Sequence, residues 1–155
     1  MSKIKLELID LKARIDPGAP LPNIIMDEHQ VFVFFYLLDD NRERDSFGCL
    51  NFKGLNQIKF GYPNEEVINA HPYYKYGLVP CSFYEVRNSD WIDLIERMNR
   101  VHPYHKKELF INDKHYIFPF HDTTLEIIAD SFTFEVINDK SMKEIIKDKS
   151  NLLYT

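Results

Sequence analysis

The apolar run at residues 31–38, VFVFFYLL, constrains the fold more than any other segment of the chain. It falls far short of the roughly 20 apolar residues that cross a bilayer as a helix. It is rich in Val, Phe and Tyr, which suit a β-strand better than a short buried helix. The run therefore predicts a strand that is covered by protein on both faces.

Alternation of apolar and polar residues predicts further strands. Residues 4–15 alternate with one change of parity, which predicts a single strand with a bulge near Leu8. Residues 50–60 alternate on either side of Gly54, which predicts a β-hairpin with this glycine in its turn. Residues 78–86 predict another strand.

Two helices are predicted. The principal one covers about residues 89–101, with Asn88 or Ser89 as its N-cap. A short C-terminal helix is predicted by the capping-box pair Ser141 and Glu144. The apolar residues of the principal helix recur at helical spacing and predict one buried face: Trp91, Leu94, Ile95, Met98 and Val101.

The segment HYIFPFHDTTLEIIADSF, residues 115–132, admits two interpretations. Thr123 and Glu126 form a capping-box pattern, which predicts a helix. The alternation of apolar residues predicts instead two strands joined by a turn at HDTT. We favour the strands because the Ile-Ile pair and the aromatic flanks fit a sheet better. In that interpretation Asp122 stabilises the turn through hydrogen bonds to the backbone.

Together these patterns predict a single α+β domain over residues 1–155, with a mainly antiparallel sheet, one principal helix and a short C-terminal helix. The composition supports one core, since 45% of the residues are apolar and 14% are aromatic.

Charge and cysteine content restrict the class of protein. The formal net charge of −5 argues against a nucleic-acid binder, which would concentrate Lys and Arg on one face. Charged residues interrupt the first 16 residues, so we expect no signal peptide. Cys49 and Cys81 lie in apolar segments and are expected to be free thiols. The sequence therefore predicts a cytoplasmic protein that binds neither nucleic acid nor membranes.

The candidate catalytic residues are His121, Asp122 and Glu126, with Glu85 and Arg87 from another strand. Ionisable groups among apolar strands have shifted pKa values, which would suit a small hydrolase or a ligand- or metal-binding enzyme. Adjacent residues of a regular strand point to opposite faces, so a turn is the simpler interpretation of the His-Asp pair. No metal-binding, phosphate-binding or nucleophile motif occurs, and we expect no metal and no cofactor.

Aromatic residues crowd the segment GYPNEEVINAHPYYKYGLVPCSF. Tyr62, Tyr73, Tyr74 and Tyr76 are candidate binding residues, because amphipathic aromatic side chains often anchor partners. The alternative is that they only pack this loop onto the sheet.

Five segments follow one another in the order FGYPN, HPYYKYGL, FYEVRNSDWI, NRVHP and HYIFPFHDTTLEIIAD. This combination resembles a family of uncharacterised bacterial proteins over about residues 46–130. The resemblance implies a bacterial cytoplasmic origin and one compact unit that contains the HYIFPFHDTTLE hairpin and the NSDWI helix start. It implies no activity, cofactor or catalytic residue.

Two functions remain in view. The first is a non-catalytic protein-binding domain, most concretely an immunity or antitoxin-type protein that neutralises a basic toxin domain. Complementary charge between an acidic protein and a basic partner speeds their association. The second is the small hydrolase or ligand-binding enzyme described above. We favour the first function, because the sequence carries no catalytic signature.

Overall fold

Within residues 3–154, which the computed structural model describes, ten strands form two five-stranded antiparallel sheets. The strands are β1 (Lys5–Ile9), β2 (Arg14–Ile15), β3 (Asn23–Met26), β4 (Gln30–Leu38), β5 (Arg44–Lys53), β6 (Gln57–Gly61), β7 (Phe83–Arg87), β8 (Lys114–Pro119), β9 (Thr124–Ala129) and β10 (Ser131–Asn138). The first sheet has the order β1-β7-β8-β9-β6. The second has the order β10-β5-β4-β2, with β3 also paired to β4.

The helices lie outside the sheets. The described residues contain two α-helices, α1 (Asp90–Asn99) and α2 (Met142–Ser150). The same part of the chain has three 3-10 helices, which cover Glu65–Ala70, Tyr74–Tyr76 and Lys107–Phe110. No helix in the described part of the chain is long and apolar enough to cross a membrane.

The main core lies between the two sheets. Phe35 of β4 packs against Phe118 and Phe120, with ring centroids 5.4 and 5.3 Å apart. Phe52 of β5 packs against Tyr116 of β8 at 5.3 Å. These contacts join inward-facing residues of both sheets. Each sheet therefore needs the other to cover its inner face.

Both outer faces are covered as well. On the second sheet, Phe32 and Phe34 of β4 pack with Ile145 of α2. The prediction that residues 31–38 form a strand covered on both faces is confirmed. On the first sheet, Trp91 and Ile95 of α1 pack on Ile128. The result is an α+β fold of two central sheets with helices on both outer sides, which confirms the predicted class.

The segment 115–132 forms strands, as favoured from the sequence. β8 and β9 are a hairpin with Phe118 opposite Leu125, and the N–H of Phe120 donates to the carbonyl of Thr123 across the turn. The alternative helix does not form. Alternate residues of both strands enter the core, which a helix could not achieve in this position.

Two sequence-based predictions of strand pairing were wrong. β5 and β6 do not form a hairpin: β5 pairs with β4 and β10, and β6 pairs with β9 in the other sheet. Gly54 does occupy the turn with a φ of +66°, but the chain there passes from one sheet to the other. The N–H of Leu55 donates to His29, and the N–H of Asn56 donates to Ile128.

The predicted N-terminal strand is likewise divided. β1 pairs with β7 in the first sheet, whereas β2 pairs with β4 in the second. The parity of the apolar residues changes because the chain crosses between sheets, not because of a bulge. Ile4 and Leu6 pack on the outer face of the first sheet, and Leu11 and Ile15 pack on the core between the sheets.

The helix α1 begins where the sequence predicts, but its buried face is different. The hydroxyl of Ser89 accepts a hydrogen bond from the N–H of Ile92, so Ser89 is the N-cap. Trp91 and Ile95 are buried as predicted. The other three residues of the predicted face are exposed: Leu94 is 46%, Met98 60% and Val101 91% accessible. The helix is rotated so that Ile92 packs inward and the carboxylate-bearing Glu96 is buried instead.

Candidate functional site

An open pocket of about 430 Å³ lies on the outer face of the first sheet, between α1, β6, β9 and the loop at residues 62–73. We call it the aromatic pocket. Its polar and aromatic lining consists of Lys59, Tyr62, His71, Tyr73, Asp90, Trp91 and Glu126. These residues come from four separate parts of the sequence, so the pocket exists only once both the sheet and the helix have formed.

The floor of the pocket is Glu126. On β9 its neighbours Leu125 and Ile127 point into the core, so Glu126 points to the outer face. Its Oε1 lies 2.9 Å from Nε2 of His115, and its Oε2 lies 3.2 Å from Nε2 of His71. Burial raises the pKa of Glu126, but the hydrogen bonds from His115 and His71 outweigh it and bring the pKa to about 2. Glu126 is therefore a carboxylate at neutral pH and cannot act as a general acid.

His115 links this carboxylate to the start of α1. Its Nδ1 lies 2.7 Å from Oγ of Ser89. That oxygen already accepts from the N–H of Ile92, so its proton is free for His115 Nδ1, and Nε2–H of His115 then donates to Glu126. The order of donors, from Ser89 through His115 to Glu126, is that of a serine hydrolase triad, but the two ring nitrogens of the histidine have exchanged roles.

The burial of this triad opposes catalysis. His115 is fully buried between the rings of Tyr73 and Trp91, with centroids 5.6 and 5.1 Å away. Ser89 is 5% accessible and does not line the pocket. A nucleophile must reach its substrate, and Ser89 is closed off from the pocket. The same chain of hydrogen bonds connects the start of α1 to the sheet.

The loop at residues 71–73 closes one side of the pocket. Nδ1 of His71 accepts a hydrogen bond from the N–H of Tyr73 at 3.0 Å, which leaves Nε2–H of His71 to donate to Glu126. The Tyr73 hydroxyl donates to Oδ1 of Asp90 at 2.5 Å. Burial and this hydrogen bond raise the pKa of Tyr73 far above its usual value, so the phenol stays protonated.

Trp91 forms another wall of the pocket. Its indole N–H donates to Oε1 of Gln57 at 2.9 Å, which fixes the orientation of the ring. The ammonium group of Lys59 lies 3.8 Å from the ring centroid, within the range of a cation–π interaction. The face of Trp91 therefore holds a cation that belongs to the chain itself.

The sequence-based candidates for catalysis do not come together. His121 and Asp122 lie in the β8–β9 turn, where Nδ1 of His121 is 2.9 Å from Asp122 and its Nε2 is 3.1 Å from Glu65. Glu126 is on the outer face of the sheet. Glu85 stands opposite the inward-facing Tyr116 in the neighbouring strand, so it lies on the other face.

Arg87 completes that set of five candidates and lies apart from Glu126. It pairs with Glu85 at 2.7 Å and with Glu7 at 2.8 Å, at the β1 edge of the first sheet. The five residues proposed from the sequence therefore do not form one site.

Of the four candidate tyrosines, two line the pocket. Tyr62 is 78% exposed, and Tyr73 is buried but contributes its ring and hydroxyl to the lining. Tyr76 packs against the apolar cluster beneath the loop, and Tyr74 is half-exposed outside the pocket. Sequence reasoning missed Lys59, His71, Asp90 and Trp91 as members of this site.

The surroundings of both cysteines disfavour the reactive thiolate form. Both are free thiols, Cys49 buried and Cys81 partly buried. Burial raises the pKa of each to about 11, so each stays protonated at neutral pH. Among the described residues, no group of three or more His, Cys, Asp or Glu side chains is arranged to hold a metal ion.

A second cleft, of about 490 Å³, lies between α1 and the 3-10 helix Lys107–Phe110. Its buried carboxylate, Glu96, is held by Arg100 at 2.7 Å and by Nε2 of His105 at 2.9 Å. This interior charge is satisfied within the chain. The aromatic pocket is the stronger candidate, because three aromatic rings line it together with the exposed carboxylate of Asp90, whereas the second cleft has the single ring of Phe110.

Comparison with known protein families, with curated proteins and with solved structures finds no match for this chain. The resemblance described from the sequence segments therefore stays a prediction. Four of those segments contribute residues that line the aromatic pocket or hold Glu126 in place: FGYPN, HPYYKYGL, FYEVRNSDWI and HYIFPFHDTTLEIIAD.

Proposed function

We propose that this protein is a non-catalytic protein-binding domain whose partner presents a basic surface. The most concrete form of this function is an immunity or antitoxin-type protein that neutralises a toxin. The observation that carries the proposal is a strip of exposed apolar side chains beside the aromatic pocket, formed by Tyr62, Leu94 and Met98.

The strip is continuous with the pocket. Tyr62 and Leu94 both line it, and Met98 follows Leu94 by one helical turn on the same face of α1. Each of the three residues exposes between 46 and 78% of its surface. Contiguous exposed apolar side chains with polar neighbours are typical of protein interaction surfaces, and aromatic residues and Met are enriched there.

Charge supports a basic partner. Asp90 and Asp93 stand in the first turn of α1, next to Leu94, and both are exposed. The whole chain carries a formal net charge of −5. The two exposed carboxylates beside Leu94 and the acidic net charge of the chain would attract a basic domain and repel acidic ones, which raises the association rate and gives specificity.

The test is affinity capture from the producing cells with the wild type and the double variant Leu94→Ser/Met98→Ser. The matched control is Leu8→Ser/Val136→Ser, which removes two equally exposed apolar side chains elsewhere. We expect a stoichiometric basic protein bound by the wild type and the control but not by the double variant. Partner capture that ignores Leu94 and Met98, or no partner at all, would contradict the proposal.

The immunity form of the proposal has its own test. If the captured partner is a toxin, co-expression of the wild type should protect cells from it, and co-expression of Leu94→Ser/Met98→Ser should not. A partner that is harmless when expressed alone would leave a binding domain and remove the immunity function.

A second candidate function is a serine hydrolase, which the donor pattern of Ser89, His115 and Glu126 favours. A fluorophosphonate probe reacts covalently with an activated serine, so it decides between the two functions. We expect no labelling of the folded protein, because Ser89 is buried. Stoichiometric labelling that disappears in Ser89→Ala would make the hydrolase the better candidate.

A further inference from the structure

We propose that the aromatic pocket binds one cationic side chain, arginine or lysine, and that Lys59 occupies this place while the pocket has no ligand. The inference rests on the proposed function, because the protein partner would supply the side chain. It adds the chemical class that the pocket recognises and the residues that recognise it.

The face of the Trp91 ring is a surface on which a cation already lies. A cation–π contact needs an ammonium or guanidinium group within about 6 Å of the ring centroid, and Lys59 satisfies this at 3.8 Å. Lys59 is an exposed residue on β6, the edge strand of the first sheet. A flexible side chain at an edge can swing into solvent at small cost, which would open the ring face to another cation.

The residues that line the aromatic pocket carry a net negative charge. Asp90 and Glu126 are two carboxylates, and Lys59 is one ammonium group. His71 accepts through Nδ1, so it is the neutral tautomer in this arrangement. Two negative charges and one positive charge leave the lining with a net charge of −1. A cation that displaces Lys59 is therefore attracted by the two carboxylates, whereas an anion is repelled by them.

One oxygen of the Asp90 carboxylate is accessible to a ligand. Tyr73 donates to Oδ1 and so holds the carboxylate in position. Among the described residues, none donates a hydrogen bond to the second oxygen of Asp90, and the residue is exposed. This oxygen can accept from a guanidinium or ammonium group that lies on Trp91. Both oxygens of Glu126 are already engaged, so Asp90 is the group that would pair with the ligand.

The experiment uses the fluorescence of Trp91, which is the only tryptophan of the chain. The protein is titrated with N-acetyl-arginine amide, with N-acetyl-lysine amide and with N-acetyl-citrulline amide, which is the neutral isostere of the first. We expect a saturable change with the two cations, with dissociation constants in the millimolar range, and none with citrulline amide. No saturable change well above millimolar concentration, or equal binding of citrulline amide, would overturn the inference.

Variants separate recognition from folding. Asp90→Asn keeps an acceptor for Tyr73 but removes the charge, so we expect it to weaken binding of the arginine probe about tenfold. Lys59→Ala removes the competing cation, so we expect it to strengthen binding by about threefold. The controls Asp40→Asn and Lys143→Ala change exposed charges outside the lining and should bind like the wild type. Unchanged binding in Asp90→Asn, or weaker binding in Lys59→Ala, would count against the assignment.

The two proposals can fail separately. If the probes bind as expected but no protein partner is captured, the cation site stands and the protein-binding function fails. If a basic partner is captured through Leu94 and Met98 but the probes leave Trp91 unchanged, the function stands and the cation site is wrong.

Discussion

Glu126 is held as a carboxylate on a strand whose other residues are mostly apolar and buried. Its two histidine partners come from different places, His115 from the adjacent strand and His71 from the loop over the pocket. A charge in such a place is tolerated only when hydrogen bonds satisfy it, and removal of one partner leaves the others uncompensated. The residue thus connects the sheet to the loop that shapes the pocket.

We expect Glu126→Gln to lower the free energy of unfolding by about 1–3 kcal/mol at neutral pH, because the amide N–H₂ cannot accept from a histidine. The wild-type contribution is present above the unfolded pKa of 4.5 and is lost as the pH falls toward the folded pKa of about 2. The difference between the two proteins should therefore shrink over that window. Urea unfolding at several pH values measures it. Glu28→Gln, an exposed carboxylate, is the control.

His121 has a structural role in the turn where it lies. Hydrogen bonding to Asp122 and the charge of Glu65 raise its pKa above 6.5, although partial desolvation opposes them. The ion pair with Glu65 joins the β8–β9 turn to the 3-10 helix Glu65–Ala70, and the N–H of Glu65 donates to the carbonyl of His121. This turn supports the loop that carries Tyr62 and His71.

For His121→Gln we predict a pH-dependent loss of stability. A group whose pKa is raised on folding contributes its full stability below the unfolded pKa of 6.5 and loses it as the pH rises through the folded pKa. The variant should therefore be less stable than the wild type in mildly acidic buffer and should approach it in alkaline buffer. Thermal unfolding across this pH range is the measurement. A constant difference at all pH values, or an equal effect of the control His29→Gln, would show that the ion pair is not responsible.

At the scale of elements, α1 shows which properties of a helix the spacing of its apolar residues can predict. Five apolar residues at helical spacing predict a helix, which is correct, and of the two predicted N-caps, Asn88 and Ser89, the structure has Ser89. Successive helical residues differ by about 100°, so a small rotation about the axis exchanges one buried edge of the apolar stripe for another. The contacts with Ile128 and Phe110 determine that rotation, and they bury Ile95 while Leu94 and Met98 face solvent.

Substitutions within α1 should reveal this division. We expect Ile95→Ala to lower the free energy of unfolding by about 2–4 kcal/mol, because it leaves a cavity against the sheet. Met98→Ala should change it by less than about 0.5 kcal/mol, because the side chain is already in water. Urea unfolding of both variants compares the two effects. Similar losses in both would mean that the helix face is oriented as the sequence pattern first predicted.

The strands β5 and β6 show what the alternation of apolar and polar residues cannot predict. Both strands alternate in this way and a glycine lies between them, so the local pattern is that of a hairpin. The structure places them in different sheets because Gly54, with φ of +66°, directs the chain across the gap between the sheets. A Cβ at this position would lie 2.2 Å from a carboxylate oxygen of Asp130, which restricts the site to glycine.

For the whole molecule, the shared core predicts one cooperative unfolding transition. Phe35 of the second sheet contacts Phe118 and Phe120 of the first. If one sheet unfolds, the inner face of the other is therefore exposed to water. Trp91 reports on the outer side of the first sheet, and the thiol of Cys49 on that of the second. In a Cys81→Ser variant, Trp91 fluorescence and Cys49 thiol reactivity should change at the same urea concentration. Separate midpoints would show that the sheets unfold independently.

The candidate site was only partly predictable. With a turn at residues 121–123, the register of the hairpin follows, and it places His115 and Glu126 on one face of neighbouring strands. That much was available from the sequence. The sequence did not show that His71, Asp90 and Lys59 lie near Glu126 in the pocket, because each belongs to a segment whose position depends on contacts far along the chain.

Local features were predictable from the sequence: the buried strand at residues 31–38, the β8–β9 hairpin as the favoured interpretation, an N-cap at Asn88 or Ser89, and the capping box of Ser141 and Glu144. These features depend on hydrogen bonds and side-chain alternation within a few residues. Packing in three dimensions determines which sheet each strand joins, which face α1 buries and which residues line the aromatic pocket. Those outcomes depend on packing between segments distant in sequence, and a local pattern carries no information about its partner in space.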